Sequence, residues 1–209
     1  MEQASIEAIE DSPRKAAPRN TEKKRELALH ALSSLAELGF ARMNLRDVAQ
    51  RSGVSLGVIH YYFENKTELL TYGVVLYKED FVKDIKTLIR AAPDPATLSG
   101  GVADFLANTV AQDAQVHRLW YDVRAQAQFD AAFHACVAEV EHALIDIFVA
   151  LLTKLQTLGV KCRETDPLRL YILIDGWFRY FLQQQLKGDV DAPNAFRIKV
   201  LEEFELLTV

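Results

Sequence analysis

The chain has 209 residues, half of them hydrophobic and a quarter charged, with a formal net charge of −5. That is enough for one or two globular domains and excludes fibrous or wholly disordered classes. Two cysteines, Cys136 and Cys162, are too few for a disulfide framework and lack metal spacing, and no apolar run resembles a signal peptide or a membrane span, so a cytoplasmic protein with free thiols and no membrane partner is expected.

The charge is unevenly spread. Residues 1–13 carry −4, residues 14–66 carry +5, and residues 67–209 carry −6. A basic segment on an acidic body suggests a polyanion-binding head.

Residues 1–20 switch from acidic to basic near Pro13 and read as a disordered arm, or as a basic tail whose Arg14, Lys15 and Arg19 follow a nucleic-acid backbone. Residues 21–38 form the first predicted helix, with Leu27, Ala31, Leu35 and Leu38 on one face and Gly39 ending it. Asn44, with Asp47 three residues on, caps a short helix over 45–51. Gly53 stops it, Ser55 caps a second short helix over 56–63, and Asn65 with Glu68 opens a long helix to about residue 91, closed by Pro93 and Pro95. Further helices are predicted over about 96–112, 114–127 and 130–158, the last ended by Gly159. Asp166 and Pro167 open another to about 187, and a final one covers about 195–207. No β-branched alternation asks for a strand, so the fold class is all-α.

Two short capped helices joined through "SGVS" make a helix-turn-helix, in which Gly53 supplies the positive φ of the turn. Ile59 and Phe63 stand four apart on the second helix and face inward. The opposite side carries Leu56, Gly57, Val58, His60 and Tyr61 without an acidic residue, so it can approach phosphates in a major groove. Of the four consecutive rings, Phe63 is expected in the core, Tyr62 to pack beside it with its hydroxyl outward, and His60 and Tyr61 to face outward.

The pieces "ALHALSSLAELGF", "NLRDVAQRSGVSLGVIHYYF" and "NKTELL" agree in order and spacing with one pattern. Residues 21–70 resemble the DNA-binding domain of the TetR family of bacterial transcription regulators. "LIDGWFRYFL" is similar to the dimerisation helix of family members like the choline-pathway repressor. The resemblance implies a head over 21–66 and a ligand-binding and dimerisation domain over 67–209. It also implies that Asn44 and Arg46 lie near phosphate, that Ser55 caps the recognition helix, and that Leu56, Gly57 and Val58 face the groove. His60, Tyr61 and Tyr62 would then touch backbone and groove, and Lys66 would hold a phosphate. Many relatives place a cation at the position of Leu56 and a tyrosine at that of His60, so the base contacts depart from the family pattern here.

In the body, the helix over 167–187 is apolar on several sides and needs cover on two of them. Tyr171, Ile174, Trp177, Phe178 and Phe181 are the candidate dimer interface, or else the core of a monomeric bundle; a short recognition helix reads few base pairs, which favours a homodimer on a pseudo-palindromic double-stranded operator. Asp175 sits in this apolar stretch with Arg179 at i+4 as a partner, or with a cationic ligand. Phe105, His117, Trp120, Tyr121 and Phe133 are pocket candidates for an unknown small-molecule effector, each of them otherwise a core residue. His117 lacks a metal-ligand set, and no cofactor is expected.

The expected function is a ligand-responsive homodimeric repressor, with the long fourth helix as the lever between pocket and head. An activator, or an effector-independent DNA-binding protein of the same fold, is the alternative. An enzyme is not expected, because the chain shows no phosphate loop, nucleophile elbow or metal set.

Overall fold

The computed structural model describes residues 18–208. Among these residues it is all-helical: α1 Pro18–Arg42, α2 Leu45–Arg51, α3 Leu56–Tyr62, α4 Lys66–Ala91, α5 Pro95–Gln112, α6 Ala114–Gln126, a 3-10 turn Ala131–Phe133, α7 His134–Thr157, α8 Pro167–Leu186 and α9 Ala192–Leu207. Most of the arm expected over 1–20 lies outside the described residues. Its last three positions already belong to α1, which tolerates proline in its first turn.

The caps explain the boundaries of the first four helices. Gly39 breaks α1 with φ 72°. Asn44 Oδ1 accepts from the amides of Arg46 (2.9 Å) and Asp47 (3.1 Å), and Asp47 Oδ2 returns the favour to the Asn44 amide at 2.9 Å. This reciprocal box stabilises a helix of only seven residues, too short to hold itself in water. Asn44→Ala should therefore cost about 1 kcal/mol and lower Tm in a thermal melt by about 2–4 °C. At the far end the Ser52 hydroxyl donates to Val48 O (2.6 Å), Gly53 turns with φ 65°, and Ser55 Oγ accepts weakly from the Val58 amide (3.4 Å) to open α3. Asn65 Oδ1 takes the Glu68 amide (2.9 Å) while Glu68 Oε2 takes the Glu64 amide (2.7 Å), opening α4.

α4 is the spine of the molecule and touches α1, α5, α6 and α7. Its Gly73 lets α1 approach closely, since a Cβ there would stand 3.1 Å from Leu32 Cγ. The buried faces of α1 through α9 join in one continuous apolar core. α5 packs on α9, and α7 packs on α4 and α8. The end of the described chain is pinned beside the α7–α8 loop by the Arg163 amide, which donates to Leu207 O at 2.8 Å.

Candidate nucleic-acid interface and effector cavity

α1, α2 and α3 build a small head around Leu27, Ala31, Leu35, Val48, Ala49, Ile59 and Phe63, all buried. α3 buries only Ile59 from within its own span, with Phe63 closing the helix. The four rings separate by direction. Phe63 is buried against Tyr72, and Lys24 Nζ stands 4.9 Å from both ring centroids. Tyr62 is half-buried and stacks edge-on to Tyr61 at 5.0 Å, whereas Tyr61 is 74% exposed and His60 is exposed too.

The outer side of α3 is thus low and polar-tipped. Leu56 and Val58 are half-buried against the core and offer only part of their apolar surface. A Cβ at Gly57 would meet only Ser55 Oγ, at 3.7 Å, so nothing within the protomer demands glycine there. Arg46 and Asn44 are exposed at the start of α2, although the Asn44 side chain is spent on the cap. Ser55 is exposed with its hydroxyl engaged at the α3 start. Lys66, the expected phosphate contact, is half-buried and already has a partner within the head. Its Nζ donates to Met43 O at 2.7 Å, which ties the start of α4 to the α1–α2 junction. Burial pushes the Lys66 ammonium below its usual pKa.

The body encloses a cavity of about 240 Å³. One wall is the α4 stripe Lys78, Phe81, Ile85 and Ile89, facing Leu144, Ile147 and Leu151 of α7 and Leu170, Ile174 and Phe178 of α8. Among the pocket candidates, Tyr121 and Asp175 line it. The others lie elsewhere. Trp120 is core, with 1% of its surface exposed and its indole Nε1 lacking a partner. Phe105 is half-buried against Phe81 (centroids 5.2 Å apart), and Phe133 sits half-buried in the 3-10 turn. His117 is fully buried behind the cavity wall, bonded to Tyr77 and Lys78.

Asp175 is ion-paired with Arg124 of α6 (2.9 Å) and accepts the Tyr121 hydroxyl (2.9 Å). The partner expected at i+4, Arg179, instead lies over the Tyr121 ring at 5.7 Å. The reason is geometric: Arg124 comes from a neighbouring helix and meets the carboxylate on its buried side, whereas Arg179 is exposed. The Asp175 and Glu141 carboxylates hold the Arg124 guanidinium charged, well above its ordinary pKa, against the opposing cost of burial.

The candidate dimer residues of α8 turn mostly inward. Tyr171 and Phe178 are buried within the protomer, where Phe178 packs on His117 (4.6 Å) and Phe196 (5.5 Å). Ile174, Trp177 and Phe181 are half-buried, and the Trp177 indole donates to Glu203 of α9 at 3.2 Å. The open face of α8 is a third one: Leu168, Ile172, Gly176 and Tyr180, spaced at i, i+4, i+8 and i+12; α9 also exposes Ile198 and Leu206. Sequence periodicity sees several apolar stripes on this helix without ranking them. Gly176 and Tyr180 share a face with Leu168 and Ile172, and the glycine that would let helices approach closely lies on this exposed face.

Residues 30–72 match the family model described as bacterial regulatory proteins, tetR family. No curated protein sequence matches the chain. Solved structures match over nearly its whole length. A TetR transcription regulator from Haloarcula marismortui is 17% identical with a TM-score of 0.72, covering 90% of this chain and 100% of that one. The fatty acid degradation regulator FadR from Bacillus halodurans is 20% identical with a TM-score of 0.68, covering 91% and 96%. FadR from Bacillus subtilis, in complex with stearoyl-CoA, is 19% identical with a TM-score of 0.66, covering 86% and 96%. The fold is the one seen in solved TetR-family transcriptional regulators, and the family's sequence model matches its N-terminal head. By sequence, the likeness to the tetR family covers residues 30–72, which contain the α2–α3 helix-turn-helix.

Proposed function

We propose that this chain is an effector-responsive, homodimeric repressor whose paired α3 helices enter successive major grooves of a pseudo-palindromic operator. The observation that carries this reading is the double duty of α4. Its first turns, through Leu69, Leu70 and Gly73, pack on the head, while Lys78 to Ile89 wall the cavity. A molecule entering the cavity must move, or stiffen, the same rod that carries the head, which is the requirement for coupling two sites. The apolar walls fit a small molecule with an apolar body. The Bacillus subtilis FadR structure, which contains stearoyl-CoA, supports an effector of that general kind.

On the head, Tyr61 is the most exposed large ring of α3, and Gly57 keeps the surface beside it low. Tyr61→Ala should weaken operator binding about tenfold, read by fluorescence anisotropy on the DNA upstream of the protein's own gene. The oligomer and the melting temperature should stay unchanged, since the ring covers nothing buried. Affinity should fall steeply with added salt, because phosphate contacts release counterions. Unaltered affinity in the variant, or binding indifferent to salt, would remove α3 from the interface. Lys66→Ala is expected to loosen the head itself, through loss of the Met43 contact.

A further inference from the structure

The cavity is long and its polar groups are few. Along α4 its wall runs from Lys78 to Ile89, about 16 Å at the helical rise. Its rim is marked by exposed Arg169, Leu173 and Leu206, and Lys78 lies at the buried end.

The hydrogen bonds at that buried end can be counted. Asp175 takes the Tyr121 hydroxyl on Oδ1 (2.9 Å) and Arg124 Nη1 on Oδ2 (2.9 Å), and Arg124 also pairs with Glu141 (2.9 Å). The carboxylate is satisfied, so a cationic ligand finds no free anion there. At the rim, Glu164 is paired with Arg169 (2.9 Å) and Glu203 with Lys199 (3.0 Å).

Lys78 has the opposite status. Its Nζ meets His117 Nδ1 at 3.0 Å. The tautomer follows from the chain behind it. The Tyr77 hydroxyl donates its single proton to Asp113 Oδ2 (2.8 Å), so at 3.1 Å His117 Nε2 must be the donor to Tyr77 Oη. Nδ1 is then the acceptor, and it takes one N–H of Lys78. Burial keeps the imidazole neutral, well below its usual pKa. The other neighbours of Lys78 are ring faces: Phe81 (5.0 Å), Trp120 (5.7 Å) and Phe178 (5.8 Å). Among the described residues no carboxylate forms an ion pair with it, and its residue is only 4% exposed. Tyr171, which also lines the cavity, has a buried hydroxyl without a partner. Donors are in surplus here and the carboxylate acceptors are committed. A buried cation of this kind is costly until something supplies negative charge.

We propose that the effector is an elongated apolar molecule with a single carboxylate headgroup, seated on Lys78 and within reach of the Tyr171 hydroxyl, with its chain lying along Phe81, Ile85 and Ile89 toward the Arg169–Leu206 rim. The proposal rests on the effector-cavity reading above and narrows it to one chemical class. The carboxylate neutralises Lys78, and the apolar walls take the chain. Because Lys78 belongs to α4, the headgroup pulls directly on the helix that carries the head.

The test titrates the full-length protein calorimetrically with dodecanoate, methyl dodecanoate and dodecylamine at pH 7, and repeats the series with Lys78→Met. Dodecanoate should bind the native protein at least tenfold more tightly than the ester, and the amine should bind weakest. In Lys78→Met the preference for acid over ester should vanish while the ester keeps its affinity. Equal affinity for acid and ester in the native protein, a measurement that needs no variant, would overturn the headgroup assignment and leave the cavity reading standing. Binding of none of the three would overturn both.

Discussion

Ile172→Arg and Tyr180→Arg, made separately, should each convert the protein to a monomer in sedimentation velocity and reduce operator affinity by a hundredfold or more. Both residues stand on the open α8 stripe, 62% and 52% exposed, in a run that also includes exposed Leu168. A contiguous exposed apolar patch on a protein of this size marks an interaction surface. Gly176 lies in its centre with open space where a Cβ would stand. A helix-interior glycine costs about 0.5–1 kcal/mol relative to alanine, and nothing in the protomer requires it. Close approach of a second copy would. An isologous contact places each substituted residue twice, so one arginine buries two unpaired charges. The loss of DNA affinity follows because one head alone contacts a single half-site. Trp177→Ala should behave differently. It removes the indole bonded to Glu203 and lying under Lys199 (4.8 Å), so it should lower the melting temperature of a protein that remains dimeric. An arginine variant that stays dimeric with native operator affinity would rule this face out.

Lys78→Met should make the effector-free protein more stable at neutral and acidic pH, by about 2 kcal/mol. Burial lowers the Lys78 pKa from 10.5 to about 7; Asp175 of α8 opposes that fall and Arg124 of α6 adds to it. His117 of α6, neutral in the fold, is the remaining titratable neighbour. A depression of that size penalises the charged form by several kcal/mol. Leaving His117 Nδ1 without its donor returns about 1–3 kcal/mol of that. The sign with pH follows from proton linkage. Between about pH 7 and 10.5 the unfolded chain holds the Lys78 proton and the folded chain has released it, so native stability from this group rises with pH. The advantage of methionine is therefore full below about pH 7, shrinks above it by about 1.4 kcal/mol per pH unit, is gone near about pH 8.5, and reverses beyond that, where the cost of the unpartnered His117 Nδ1 remains. Chemical denaturation at pH 6 and pH 9 checks this. A variant less stable than the native protein at pH 6, or an advantage independent of pH, would contradict it.

The sequence alone determined the helical class, the element order and the turn of the helix-turn-helix head, because all of these are local. Caps such as Asn44 with Asp47, stops such as Gly53 and Gly159, and the four-residue spacing of Ile59 and Phe63 act within one or two helical turns, so their chemistry is readable from neighbours in the chain. Helix bounds erred by three residues or fewer except at the end of α1, which resumes past the Gly39 break and runs to Arg42, and at the start of α7, where a 3-10 turn at Ala131–Phe133 precedes the helix, for Asp130 caps the turn and not the helix. The tertiary structure decided the rest. Periodicity shows which residues of α8 share a face, yet only the packing of α7 and α9 against that helix decides that Tyr171 and Phe178 go inside and that Ile172 and Tyr180 stay outside. Likewise Lys78 meets His117 across 39 residues and Asp175 meets Arg124 across 51. Such pairs form because separate helices bury polar groups side by side and each group must find a partner. No local spacing encodes that, so the buried lysine at the end of the cavity became visible only in the folded chain.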